Sequence, residues 1–332
     1  MKAAIITGIN QISVETVPDP TCGENDVVIQ VTASGICGTD LHILEGEFAP
    51  TLPIIPGHEF SGTIIEVGSK VTDYKIGQKV AVDPSLHCGH CFYCKRARGN
   101  LCENWGGIGI SIPGGAAEYC AVPAKNLYVL PDEIDVRNAN LIEPLSCAVR
   151  GYDVLPRIPG SHYLIYGSGT MGLMMMELAR RNGAASVSMV DINEQRLETA
   201  RALGITKLST SADTFESERG WDVVIDCTGN EKAIQDAIPR TMPGGTFLQF
   251  GVANTHSKVE ISPFWVYNKE ITIAGSMAVL HSFERAGDLL AAGALNPEVM
   301  ISHRFGLDDF PKAVQMFKDG IGRKMTIEPG LK

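Results

Sequence analysis

The 332-residue chain lacks any surplus of basic charge: 28 lysines and arginines face 38 aspartates and glutamates, for a formal charge of −10. A phosphate backbone or an anionic bilayer calls for the opposite balance, so neither nucleic-acid nor membrane-surface binding is its main business. Long apolar runs are missing too. Residues 158–176 carry no formal charge, but Pro159, Gly160, Gly167, Gly169 and Gly172 interrupt them, together with Ser161, His162, Ser168 and Thr170. A lipid-facing helix does not tolerate that pattern. The start, MKAAIITGINQ, has one lysine and an apolar stretch cut short by Gly8, so no secretory signal is expected and a cytoplasmic location is. Internal repeats and low-complexity segments are absent. A complete disulfide framework is excluded as well, because the nine cysteines are odd in number and a reducing compartment would not keep it.

What is present divides the chain by rhythm. To about residue 146 the pattern is all-β, with β-branched runs at Val27–Val31, Phe60–Val67 and Lys79–Val82 bounded by turn formers. From Ser161 strands and helices alternate. Strands are expected at 162–166, 186–190, 205–208, 221–226, 246–251 and 270–274, and helices at 171–182, 194–203 and near 231–240. Such alternation predicts an α/β domain, a doubly wound parallel sheet. Two amphipathic segments, 282–292 and 308–317, follow and are expected to fold back on the first part. The expected domains are 1–146, 147–276 and a C-terminal return over 277–332. Phe264, Trp265 and Tyr267 are expected in core or subunit-interface packing, and Met174, Met175 and Met176 in helix core.

Gly167-Ser168-Gly169-Thr170-Met171-Gly172 is a Gly-x-Gly-x-x-Gly between an apolar strand and a helix. The first glycine makes the tight turn, the second admits a pyrophosphate to the backbone, and the third allows close helix–strand packing. Asp191, nineteen residues after Gly172, ends the next strand where an acid accepts hydrogen bonds from an adenosine ribose. A carboxylate there repels a 2′-phosphate, so NAD is expected rather than NADP. Arg196 is placed either at that ribose or on a solvated helix face.

Cys88, Cys91, Cys94 and Cys102 fall within one loop and suffice to close a tetrahedral metal shell. A closed four-thiolate shell leaves no place for substrate, so a structural zinc is expected; an iron–sulfur cluster is the rival. His87 and His90 beside it are expected to be surface residues without a role. A second constellation is dispersed: Gly35-Ile36-Cys37-Gly38-Thr39-Asp40-Leu41-His42, Gly57-His58-Glu59 and Glu143-Pro144-Leu145-Ser146.

In order and spacing these pieces resemble the zinc-dependent medium-chain dehydrogenases of the alcohol dehydrogenase superfamily, along the whole chain. The resemblance implies a GroES-like β-barrel catalytic domain, with its zinc in a cleft against a Rossmann NAD-binding domain, and two zincs per subunit. Cys37 and His58 would be metal ligands, with Glu59, Glu143 or both completing the shell. Thr39 and His42 would carry the proton away, and Glu59 would share in catalysis. Where typical alcohol dehydrogenases have a cysteine, Glu143 in Glu-Pro-Leu-Ser looks like the polyol branch (sorbitol, xylitol and arabitol dehydrogenases). Sorbitol dehydrogenases place an arginine shortly after the last Rossmann strand, and Gly275-Ser276-Met277-Ala278 has none. The implied reaction is reversible, NAD-linked oxidation of a secondary hydroxyl of a polyol to a ketone. A simple alcohol or diol, a sugar-alcohol phosphate and L-threonine are the alternatives, and a non-catalytic zinc- and nucleotide-binding redox sensor is the alternative of another class. The short span between Cys102 and Cys120 resembles members that form homotetramers.

Overall fold

The computed structural model describes residues 1–47 and 52–331. They form two compact units, one of residues 1–146 with 279–332 and one of residues 147–278.

The first unit is built on a seven-stranded sheet. Its long central strand, Asp26–Gly35, pairs antiparallel with Glu59–Val67 along one side. Its other side is shared by Tyr119–Pro123, against Asp26–Gln30, and Lys324–Ile327, against Ser34 and Gly35. Lys79–Val82 and Leu127–Val129 extend the sheet beyond Glu59–Val67, and Ile301–Phe305 extends it beyond Lys324–Ile327. Alternation in the central strand buries Val27, Ile29 and Val31 with Phe60, Ile64, Val80, Val82, Cys120 and Val122. A second cluster joins Ile6, Ile36 and Ile43 to Phe310, Val314, Met325 and Ile327, so residues at the C-terminal end complete a core begun at the N-terminal end.

The second unit is a six-stranded, all-parallel sheet in the order Lys207–Ser209, Ser186–Val190, His162–Tyr166, Trp221–Asp226, Thr241–Gln249, Thr272–Gly275. By sequence this is 3-2-1-4-5-6, the doubly wound order, whose reversal point lies beside the first strand. Helices Thr170–Arg181 and Glu194–Ala202 follow the first two strands. Met174, Met175 and Met176 are fully buried on the first of these, as core residues.

One sequence expectation changes. The strand expected at 246–251 begins at Thr241, because the chain turns through Gly244 at φ +77° and keeps pairing with Trp221–Asp226 after a register shift. Of the three aromatic residues expected in core or subunit-interface packing, Trp265 packs against the core, while Phe264 and Tyr267 are 71% and 82% exposed on the helix Pro263–Lys269 of the single chain. That helix and the edge strand Thr272–Gly275 with exposed Ile273 flank the open side of the sheet. No helix among the described residues is long and apolar enough to cross a membrane.

Candidate functional site

The four-cysteine loop forms a tight cluster within the first unit. Cys88 and Cys94 sulfurs lie 4.0 Å apart and those of Cys91 and Cys102 3.9 Å apart, with all four ligand atoms within 4.8 Å of one another. Edges of a tetrahedral zinc–sulfur shell are ~3.8 Å, so the spacing fits a zinc ion. All four are free thiols. Backbone N–H groups of Cys91, Cys88 and Asn104 point at the sulfurs of Cys88, Cys102 and Cys102, as they do toward thiolates. Those of His90 and Cys91 draw the Cys88 thiol down to about 6, whereas burial and the neighbouring Cys91 push Cys94 up to about 12. Four thiols this close cannot all ionise without a cation among them, and a dication resolves that conflict.

The second set is assembled from distant segments. Cys37 caps the helix Gly38–Leu44, and its N–H donates to Asp40 Oδ2 at 2.9 Å. Asp40 Oδ1 accepts from the Gly57 N–H at 3.4 Å and lies 3.7 Å from His58 Nδ1. Asp40 thus ties the cysteine turn to the His58-Glu59 segment. Gly57 itself sits at φ +92°, where a Cβ would come within 2.7 Å of Ala116 N. The donor atoms of Cys37, His58 and Glu59 lie within 4.8 Å of one another. His58 Nδ1 is buried without a hydrogen-bond partner. Burial opposes a charged His58, yet the Cys37 sulfur and Asp40 outweigh it and raise the imidazole well above its ordinary value. This thiolate, imidazole and carboxylate set, in an anionic field, fits a zinc ion with a position left open.

Glu143, in the first turn of the helix Ile142–Asp153, is buried but stands outside that set. Its charge is felt instead by Lys324. Burial works against that ammonium, and Glu59, Cys37 and Glu143 together raise it. Lys324 Nζ meets both Glu59 oxygens, at 2.7 and 2.6 Å. Thr39 Oγ1 lies 3.8 Å from Cys37 Sγ, and His42, one helical turn on, pairs through Nδ1 with Glu47 at 2.6 Å.

In the second unit Gly167 turns at φ +95° and Gly169 caps the helix Thr170–Arg181, whose first residues are Thr170 and Met171. A Cβ on Gly172 would lie 1.8 Å from Gly167 O, while one on Gly169 would meet nothing. The third glycine is therefore required by packing within the chain, and the second leaves open space before a helix N-terminus, as a phosphate needs. Asp191 is buried; its Oδ2 accepts from Ser168 N and Oγ at 2.8 and 3.0 Å, and its Oδ1 from Asn193 N at 2.9 Å. Arg196 lies half-buried in the first turn of the helix Glu194–Ala202.

Residues 23–132 match the alcohol dehydrogenase GroES-like domain, and residues 170–292 match the zinc-binding dehydrogenase family. The chain is a zinc-binding dehydrogenase of the alcohol dehydrogenase superfamily. It is 33% identical to D-arabinitol dehydrogenase 1 of Uromyces fabae, over 93% of this chain and 92% of that one. It is also 33% identical to L-threonine 3-dehydrogenase of Legionella pneumophila strain Corby, over 95% and 96%. Among solved structures, a zinc-binding dehydrogenase from Sinorhizobium meliloti 1021 bound to NADP superimposes with a TM-score of 0.94, at 35% identity over 99% of each chain.

Two residues of this dehydrogenase had no signal in the sequence. Asp40 reads as an ordinary helix first-turn acid, and Lys324 lies 265 residues from the carboxylate it holds. His90 is exposed, as expected; its ring Nδ1 lies 2.8 Å from Cys88 O, and its backbone N–H lowers the Cys88 thiol.

Cys94→Ser should remove one zinc per chain and lower the melting temperature by roughly 5–10 °C. Metal analysis with calorimetry checks this, and unchanged zinc content would refute a metal at the four-cysteine loop.

Proposed function

We propose that the protein is an NAD-linked dehydrogenase that oxidises a secondary hydroxyl of a sugar alcohol to a ketone, reversibly. The observation that carries the reading is the Cys37–His58–Glu59 set, a half-buried cysteine beside a buried histidine and carboxylate, with a second carboxylate, Glu143, nearby in the field of Lys324. Cys37, His58 and Glu59 would hold the zinc. When bound, the metal supplies Lewis acidity toward a hydroxyl and the nicotinamide supplies the hydride acceptor.

The chain's own groups account for the proton. Thr39 stands beside Cys37 and takes the proton from the substrate hydroxyl; His42, on the same helix face and reaching solvent, takes it onward. Glu47 accepts from the His42 ring at 2.6 Å and fixes the ring's orientation. In the second unit the turn Gly167 to Gly172, open at Gly169 and leading into the helix N-terminus at Thr170 and Met171, takes the pyrophosphate, with Gly172 allowing the close packing beneath it. Asp191, already fixed by Ser168 and Asn193, presents its remaining lone pairs to a ribose diol. The arabinitol dehydrogenase relative supports the polyol reading. A second reading, L-threonine as substrate, is favoured by the threonine dehydrogenase relative.

The test is NADH formation by the zinc-loaded enzyme across C4 to C6 polyols, their phosphates, butanediol, short alcohols and L-threonine. One polyol is expected to turn over far faster than the rest, and Thr39→Val to lower its kcat about 100-fold. Turnover confined to threonine or simple alcohols would overturn the polyol assignment. Asp191→Ala is expected to reduce the preference for NAD over NADP by roughly 10- to 100-fold in dissociation constants. An unchanged ratio would remove Asp191 from the ribose, and the NADP-bound relative makes that measurement pointed.

A further inference from the structure

Asp226 ends the strand Trp221–Asp226 and is 0% exposed, yet it belongs to neither metal set. Four neutral donors saturate its carboxylate. Oδ1 accepts from Thr228 N at 3.0 Å and Thr228 Oγ1 at 2.6 Å, and Oδ2 accepts from Gly229 N at 2.9 Å and Gln249 Nε2 at 2.8 Å. A carboxylate has about four lone-pair sites, so Asp226 keeps none for a ligand. Asp191, with three such bonds, still has room.

The donors come from two loops. Thr228 and Gly229 follow the fourth strand of the sheet, and Gln249 ends the fifth, where its Nε2 also donates to Gly251 O at 2.7 Å. The Asp226 carbonyl accepts from Phe250 N at 3.1 Å and Gly251 N at 2.7 Å. The loops nest closely. A Cβ on Gly251 would lie 2.4 Å from Gly229 N, and one on Gly229, at φ +66°, would lie 2.1 Å from Val252 O. Bonds to a charged acceptor are roughly twice as strong as neutral ones, so a single buried anion sets the position of both loops.

Strand order says what these loops border. In a 3-2-1-4-5-6 sheet a dinucleotide lies across the C-terminal strand ends at the reversal point, one half over each half of the sheet. Asp191 and the turn Gly167 to Gly172 belong to the first half. They are anchored without Asp226, since Gly167 N donates to Val190 O at 2.7 Å and Ser168 donates to Asp191. The loops on Asp226 border the other half, that of the nicotinamide riboside.

We propose that Asp226 is a positioning residue for the nicotinamide half of the cofactor. It touches no ligand itself and acts through Thr228, Gly229 and Gln249, holding the two loops at the spacing that half requires. The inference rests on the dinucleotide reading above and deepens it.

The test is calorimetric titration of the zinc-loaded enzyme with NADH and, separately, with ADP, which has the adenosine and two phosphates but no nicotinamide. Asp226→Asn sets an amide NH2 against donors where an oxygen accepted. Turning the Gln249 amide to suit would forfeit its bond to Gly251 O. The variant is expected to weaken NADH binding about tenfold and to leave ADP within about twofold. Thr228→Val keeps the side chain's shape and removes one donor. It is expected to weaken NADH roughly threefold with ADP again unmoved, and it carries the test should Asp226→Asn fail to fold. A carboxylate of merely structural role would lower the melting temperature and move both ligands together, or neither, and either result overturns the proposal. Wild-type enzyme that binds neither NADH nor ADP would defeat the dinucleotide reading and the proposal with it, a failure distinct from that of Asp226 alone.

Discussion

Burying like charge is the constraint on which the rest of the first unit turns. Asp40, Glu59 and Glu143 are all buried near Cys37 and His58, and buried anions are costly unless something opposes them. Lys324 opposes part of that charge, and a zinc ion would oppose the remainder. The surrounding fold is arranged for this. Gly35 clears the passage for the lysine, Gly57 lets the His58-Glu59 segment turn at φ +92°, and Asp40 spends its oxygens on Cys37 and Gly57. Removing Lys324 or Asp40 would leave unpaired polar groups in the core, whereas a side chain at Gly35 or Gly57 would collide with Glu59 or with Ala116.

The two cysteine-containing sites solve the same problem in opposite ways. In the loop, four thiols and their own backbone N–H groups supply everything, so the site is local and closed. At Cys37, one thiol is supplemented by an imidazole and a carboxylate drawn from another strand, and that carboxylate is already claimed by an ammonium. The first arrangement is a closed four-sulfur shell and the second a mixed one, the distinction that separates structural from catalytic zinc sites in general.

How much of this was legible in the sequence follows from distance along the chain. The four-cysteine loop and the glycine fingerprint are local, and their spacing carries their chemistry. The doubly wound sheet was legible because each strand and crossover helix announces itself by period. Glu59 and Glu143 could not be ranked, since what distinguishes them is the pairing of three strands that brings Gly35, Glu59 and Thr326 level. Lys324, in a basic cluster with Arg323, looks like a surface residue until the sheet buries it. Phe264 and Tyr267 carry no local signal that separates a core from a subunit-interface position, and the single chain leaves both exposed.

The claim that two chemically different zinc shells coexist in one chain is tested most directly by X-ray absorption at the zinc edge of the fully loaded protein. With one four-sulfur shell and one shell holding a single sulfur beside nitrogen and oxygen, the average is between about two and three sulfurs per zinc. Near four sulfurs with one zinc per chain would mean that Cys37, His58 and Glu59 do not hold a metal, and the account of this dehydrogenase would be contradicted at its centre.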